Sequence, residues 1–426
     1  MNVDEVADLT GIQTEVPEEE VSNLLSKKPI KNSKGEVQSW GAPQKTSLNV
    51  QTVLCTDSRM QGRFRYNSFA QIVEIDGQPI RDADESKLML WLSSVYDLEM
   101  PTKRIAEVVQ TVADENAYHP VREWMEGLVW DGTDRLDSML SEYFGAEDTN
   151  LTKEVGRRWA IGCVARIYDP GCKLDTVLVL QGPQGAKKST AFRALAGRDD
   201  WFSDTLVDFR NKDAYQQLSG VWIYELAELD NIRRSDIGAI KAFLSAQVDK
   251  YRPAYGRNIG IYPRQTAFVG STNDIEFLPA DPTGSRRFWP IKIGTINLPS
   301  IKRDVGQLWA EAVKLYKSGE RWWLEGTSAK DLVQASDEYR QRDSWETVVE
   351  DWLRGQRDFF TIEDVLRQAI KKDPEHQTRA DSMRAAGILT GLGCAKKRRV
   401  HQGARRVMWS KDEGVVTLGR AAGKED

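Results

Sequence analysis

The sequence predicts an α/β protein whose core is a parallel sheet with flanking helices. Three observations carry that prediction. Val177–Leu180, Val221–Tyr224 and Ala267–Gly270 are short apolar runs without polar alternation, the pattern of strands buried on both faces. Helical patterns at Ser189–Leu195 and Ser235–Gln247 lie between them. The first run passes directly into a Gly-rich loop.

The elements follow in order. Residues 1–48 are expected to be a flexible tail: Glu18, Glu19 and Glu20 form an acidic run, and Ser26–Pro43 mixes Lys, Ser, Asn, Gly and Pro without periodicity. Residues 49–175 are expected to form a mostly helical domain. Glu85–Tyr96 and Thr102–Asn116 carry apolar residues at three- and four-residue steps, and His119-Pro120 opens a further amphipathic segment. Asp134–Phe144 repeats that pattern, and Phe69–Ile75 is an extended piece. The α/β domain spans 176–342 and ends in helical segments from residue 296. A terminal module, 343–411, is expected to hold helices at Ser344–Leu353, Thr361–Ala369 and Ser382–Leu392, then a β-like basic end from Ala395 to Trp409. Residues 412–426 read as a second tail.

The chain has 426 residues, with 59 Lys and Arg against 64 Asp and Glu, a net charge of −5. A uniformly basic nucleic-acid coat is excluded, while a local basic patch is not. No run of 18 or more apolar residues suggests a membrane span, and the acidic N-terminus is not a secretory signal. The four cysteines form no CxxC pair and the three histidines are scattered, which argues against a disulfide framework or a zinc site. A cytoplasmic protein is expected.

The strongest local signal is Gly182-Pro-Gln-Gly185-Ala-Lys187-Lys188-Ser189-Thr190, between an apolar strand and a helix. Gly182, Lys188 and Ser189 match the phosphate-binding template GxxxxGK[ST]. Backbone N–H groups of such a loop and its helix N-terminus favour phosphate. Gly185, Lys187 and Thr190 complete the candidate nucleotide-binding set, with Lys188 aimed at the β/γ-phosphates and Ser189 at Mg²⁺. Lys187 replaces the template's second glycine, which is unfavourable if that position needs positive φ. The bland alternative is a helix N-terminus that is merely Gly-rich.

A nucleotide-hydrolysing site also needs an acid at a neighbouring strand tip. Val221-Trp-Ile-Tyr-Glu225-Leu-Ala-Glu228 supplies two, and either Glu225 or Glu228 is the candidate base, Glu225 also being a candidate metal ligand. The third run ends at Ser271-Thr272-Asn273, which offers Asn273 as a polar contact for the γ-phosphate or the attacking water. Arg286 and Arg287 follow a turn, and either suits stabilisation of transition-state charge from a neighbouring subunit. Between the acidic and Asn strands, residues 249–264 interleave Lys250, Arg252, Tyr255 and Arg257 around Gly and Pro, a composition suited to gripping a phosphate backbone and stacking on bases. Plainer readings are a helix start, a turn residue, a charged turn and a surface loop.

In the terminal module, Lys396, Lys397, Arg398 and Arg399 are separated from Arg405 and Arg406 by the turn His401–Ala404. Helices followed by a basic hairpin resemble a winged helix-turn-helix that binds DNA backbone. A protein-contact hairpin is the alternative.

These motifs, in this order, resemble the virulence-associated protein E-like family of phage and mobile-element superfamily 3 helicases within the AAA+ class. The resembling blocks are His119–Trp124 with Trp130-Asp-Gly and Arg135-Leu136, Gly182–Thr190, Trp201–Asp204, Lys212–Tyr215, Trp222–Leu229, Tyr251–Arg257, Ser271–Asn273 and Asp281–Pro290. The resemblance implies a ring-forming, usually hexameric, ATP- and Mg²⁺-dependent DNA helicase for replication initiation of a mobile element in a bacterial host cell. It makes Lys188 and Ser189 Walker A residues, Glu225 and Glu228 Walker B acids, Asn273 sensor 1, and Arg286 or Arg287 an arginine finger. Single-stranded or forked DNA and a separate primase or replication protein are the implied partners, with no primase activity in this chain. Lys187 is the departure from the family pattern and bears on hydrolysis rate more than on nucleotide binding. The competing expectation is an ATP-gated DNA-binding regulatory or interference protein without processive unwinding.

Overall fold

The structure, a computed structural model, describes residues 18–205, 211, 213–227, 229, 237–252, 259–278, 285–340, 343–356, 359–401 and 404–411. They form two compact units. The first runs up to Val129 and takes back Gln217–Trp222; the second holds Trp130–Gln216 and the chain from Ile223 onward.

The first unit departs from the expected tail. Helix Glu19–Leu24 is followed by an antiparallel hairpin of β1 (Lys27–Lys31) and β2 (Val37–Pro43). The hairpin is polar and largely exposed, so periodicity does not reveal it. It is anchored by few side chains. Val21 and Leu25 are buried in the unit's core beside Val50, Val53 and Leu54. Asn49, buried near the start of helix Ser47–Thr56, bonds both polar groups of one residue in the chain leading into the hairpin. Its Oδ1 accepts from Ser26 N (2.9 Å), and its Nδ2 donates to Ser26 O (2.9 Å) and Gln44 O (2.8 Å).

The remaining helices of this unit, Asp82–Tyr96, Thr102–Glu115 and Pro120–Glu126, fall where the apolar spacing predicts them. Pro120 takes the first helical position, where its missing N–H costs nothing, and His119 Nδ1 accepts from Arg122 N (3.2 Å) as the N-cap. The extended piece is strand β4 (Ile72–Ile75), paired antiparallel with β3 (Phe64–Asn67) and β5 (Gln78–Pro79).

The second unit begins earlier than expected. Residues 130–175, read from sequence as part of the helical domain, pack on the α/β elements instead. Helix Asn150–Tyr168 lies against helix Leu298–Lys317, with the Trp159 and Trp309 rings 6.0 Å apart. Glu320 receives Arg157 (2.6 and 2.8 Å) and Arg158 (2.8 Å).

At the centre is a five-stranded parallel sheet of β6 (Val177–Gln181), β7 (Phe202–Ser203), β8 (Ile223–Leu226), β11 (Ala267–Thr272) and β12 (Phe288–Lys292), in the order β12-β6-β11-β8-β7. β9 (Val248–Tyr251) and β10 (Gly260–Pro263) form a separate antiparallel hairpin. β6 and β11 are buried throughout, as the apolar runs require. β12 was not legible as a strand because Pro290 interrupts it. Proline is tolerated there because β12 is an edge and gives only one side to a neighbour. The run at 221–224 shifts to Ile223–Leu226, which puts Glu225 inside the strand's end.

The terminal module has helices Glu346–Arg354 and Arg379–Gly391, and between them Ile362–Asp364 running into a π-helical turn, Val365–Ala369. A hairpin of β13 (Cys394–His401) and β14 (Ala404–Lys411) follows. Val349, Leu353, Val365, Leu366, Ile388, Leu389 and Trp409 form its core. Among the described residues no helix is long and apolar enough to cross a membrane.

Asn49→Ala leaves three buried or part-buried backbone groups without their partner. It should cost about 1–3 kcal/mol in urea unfolding and expose the lysines of β1 to trypsin. An unchanged midpoint and cleavage pattern would contradict the anchoring role.

Candidate nucleotide-binding site

The sheet order decides which residues meet. β11 lies between β6 and β8, so the carboxyl ends of three strands are neighbours although the chain reaches them in the sequence β6, β8, β11. Ligands of open parallel sheets bind outside those ends.

β6 delivers the loop 182–187 to helix Lys188–Leu195. The loop lies close to its surroundings. A Cβ on Gly182 would sit 2.7 Å from Ile293 Cγ1, which requires glycine there. Gly185 has φ +81° and Lys187 φ +64°, both left-handed. The first-turn N–H groups of the helix have no carbonyl one turn back, and such groups are ready donors for phosphate oxygens.

Lys188 is buried, and its ammonium is folded over the loop. Nζ donates to Gly182 O (2.7 Å), Pro183 O (3.1 Å) and Asn273 Oδ1 (2.9 Å). Asn273 is therefore brought to the loop, as its place beyond β11 predicts. Gln181 Nε2 donates to Asn273 O (3.3 Å), a contact that sequence reasoning did not foresee.

Ser189 Oγ donates to Glu225 Oε1 (3.0 Å). Glu225 is 1% exposed. Burial pushes its carboxyl above the ordinary range, and the Ser271 and Ser189 hydroxyls pull it back part of the way. Ser271, to which the sequence reading assigned no role, thus bears on the acid from the neighbouring strand. Oε2 of Glu225 is buried without a hydrogen-bond partner.

A hydroxyl next to a carboxylate with one unsatisfied oxygen suits a hydrated Mg²⁺, which takes one or two carboxylates and completes its shell with water and phosphate. Among the described residues no group of three or more His, Cys, Asp or Glu forms a cage that would hold a metal alone. Glu228 lies outside the described residues.

The tandem arginines part company. Arg287 Nε is 3.2 Å from Asp175 Oδ2 and 3.3 Å from Ser245 Oγ, so it is engaged within its own chain. Arg286 is exposed. Thr190 and Lys187 are exposed on the loop side of the helix.

Most of the described residues of 249–264 lie in β9 and β10, which pair antiparallel. The base of this hairpin is clamped by Arg264, which is buried against Asp249 (3.1 and 3.2 Å from Nε) and stacked on Phe243 (4.8 Å). Lys250 and Arg252 are exposed on it; Tyr255 and Arg257 lie outside the described residues. In the terminal hairpin Lys396, Lys397, Arg398, Arg399 and Arg406 are exposed, and Arg399 stands directly opposite Arg406. Like charges in that register repel unless an anion lies between them. Arg405 is in β14, but its side chain lies outside the described residues.

Residues 125–341 match the model of the virulence-associated protein E-like domain family. This chain belongs to that family. No curated protein matches it. Among solved structures, the chain is similar to the C-terminal region of NrS-1 in its A apo form, at 12% identity. One such structure covers 68% of this chain and 77% of its own with a TM-score of 0.38. Another covers 68% and 78% with a TM-score of 0.40. The JCV helicase, also at 12% identity, covers 63% of this chain and 86% of its own with a TM-score of 0.26.

Two predictions follow from the geometry of this family member's loop. Lys187→Gly removes the left-handed penalty but adds unfolded-state entropy, so a net gain of about 0.5–1 kcal/mol is expected in urea unfolding. A loss would show that the Lys187 side chain stabilises the loop. Glu225 has a folded pKa above its unfolded value, so its ionisation costs stability as pH rises through that raised value. Glu225→Gln should therefore raise the thermal midpoint at neutral pH, with the gain vanishing below the ordinary carboxylate range. A gain that persists in acid would contradict this assignment.

Proposed function

We propose that this chain is a Mg²⁺-dependent ATPase of the superfamily 3, AAA+ type. It acts as a DNA helicase or translocase in replication initiation of a phage or mobile element. The observation that carries the proposal is the meeting of Lys188, Ser189, Glu225 and Asn273 at three adjacent strand ends. Each has the chemistry of its proposed task, and the four arrive from three separate parts of the chain.

In this reading Gly182, Gly185, Lys187, Lys188, Ser189 and Thr190 line the triphosphate of ATP. Ser189 and Glu225 hold the cation, which when bound neutralises phosphate charge as the terminal bond breaks. Asn273 and Lys188 orient the terminal phosphate. Because Glu225 is committed to Ser189, Glu228 is the better candidate to position the attacking water. Arg286 is the finger that reaches a neighbouring subunit's nucleotide, which requires a homo-oligomeric ring, hexameric by family likeness.

DNA, single-stranded or forked, is gripped by the β9–β10 hairpin through Lys250, Arg252, Tyr255 and Arg257. The terminal module acts as a winged helix, with Lys396, Lys397, Arg398, Arg399, Arg405 and Arg406 on phosphates and helix Arg379–Gly391 as its recognition helix. A separate primase or replication protein completes the machinery. The second reading, an ATP-gated DNA-binding protein without processive unwinding, is favoured by Lys187 in a left-handed conformation at the loop.

Steady-state ATP hydrolysis with and without single-stranded DNA separates the two. The motor predicts DNA-stimulated turnover that Lys188→Ala and Arg286→Ala each abolish. It also predicts partial recovery when the two inactive variants are mixed, because one intact loop then faces one intact finger. Nucleotide binding without turnover in the parent would leave the ATP-gated reading.

A further inference from the structure

We infer that the β1–β2 hairpin is a platform for unpaired nucleic-acid bases, here single-stranded DNA, with Trp40 as the stacking surface. Trp91, Trp159, Trp222, Trp289 and Trp309 are fully buried, as large indoles ordinarily are in a core. Trp40 sits in the middle of a strand and is 63% exposed. Its cross-strand partner is Pro29, and Val37 pairs with Lys31. Trp40 and Pro29 therefore share one face, and the register shift between Ile30 and Lys31 interrupts the alternation before Lys31 and Val37. Ile30 and Val37 are also exposed, and Ile30 has a use within the hairpin: its side chain lies across Gly41, where a Cβ would be 3.5 Å away.

The charge around Trp40 points to the occupant. Lys27, Lys28, Lys31 and Lys34 lie within the hairpin, with Glu36 as its one acid, in a chain of net charge −5. Glu36 accepts from Asn32 Nδ2 (2.9 Å) at the turn. Among the described residues none of the four lysines forms an ion pair. A protein partner is poorly matched, because lysine is depleted from the cores of protein interfaces. A duplex would satisfy the lysines but offers no base face. Unpaired bases satisfy both, since an aromatic platform in a basic setting is how single strands are held without sequence preference. The inference goes beyond the ATPase reading and is tested without ATP, so the two fail separately.

The experiment uses the full chain and a fluorescein-labelled oligo-dT, read by anisotropy across a salt series without nucleotide. Trp40→Ala should weaken binding roughly tenfold or more while leaving the salt slope unchanged. Trp40→Phe should retain most of the affinity, which a folding defect would not allow. Lys31→Ala should reduce the salt slope by about 0.7. An oligonucleotide carrying 5-iododeoxyuridine, irradiated in the complex, should leave its adduct on Trp40 by mass spectrometry. Unchanged affinity in Trp40→Ala overturns the inference. If that variant instead changes the sedimentation coefficient of the protein alone, the face is a contact between copies of the chain.

Discussion

A carboxylate buried at the end of β8 constrains the site more than any other group. Ionised, Glu225 faces a desolvation cost of roughly several kcal/mol, and Ser189 meets only one of its oxygens. That hydrogen bond ties helix Lys188–Leu195 to β8. The second oxygen is the structural reason to expect a cation. Metal and phosphate would supply what the protein alone leaves unmet, so the site pays in stability for an arrangement that binding completes. Asn273 closes the triangle because β11 is inserted between β6 and β8.

Buried arginines hold the frame on which this triangle depends. Arg166 is buried in helix Asn150–Tyr168, with a pKa lowered to about 10 by burial. Its guanidinium donates to the carbonyls of Cys172 (2.7 Å) and Leu174 (2.6 Å), fixing the chain that enters β6. Arg264 does the same at the start of β11, bonding Asp249 and the Phe243 carbonyl at the hairpin base. Removing either partner of such a pair would leave a charge buried and alone, a far larger loss than a surface ion pair.

The sheet and its loop were legible because their physics is local. Apolar runs mark strands buried on both faces, and Gly182 with Lys188 and Ser189 marks the tight loop that joins β6 to its helix. Lys187 was recognisable as a residue at odds with a left-handed position, and the position is left-handed. What sequence did not reveal depends on distant partners. β12 hides behind Pro290 until its edge position is known. The hairpin of β1 and β2 looks like a tail until Asn49, Val21 and Leu25 are seen to anchor it. The boundary of the first unit falls at Val129 rather than near 175 because helix Asn150–Tyr168 buries its face against Leu298–Lys317. Arg286 and Arg287 are equivalent in sequence, and Asp175 and Ser245 distinguish them.

The central claim is that Ser189 and Glu225 form the cation half of a nucleotide site. Equilibrium binding of a fluorescent ATP analogue, measured with Mg²⁺ and with chelator, tests it most directly. The account predicts that Mg²⁺ tightens binding to the parent and that Ser189→Ala loses this dependence while still binding the nucleotide. Equal tightening by Mg²⁺ in both proteins would contradict it.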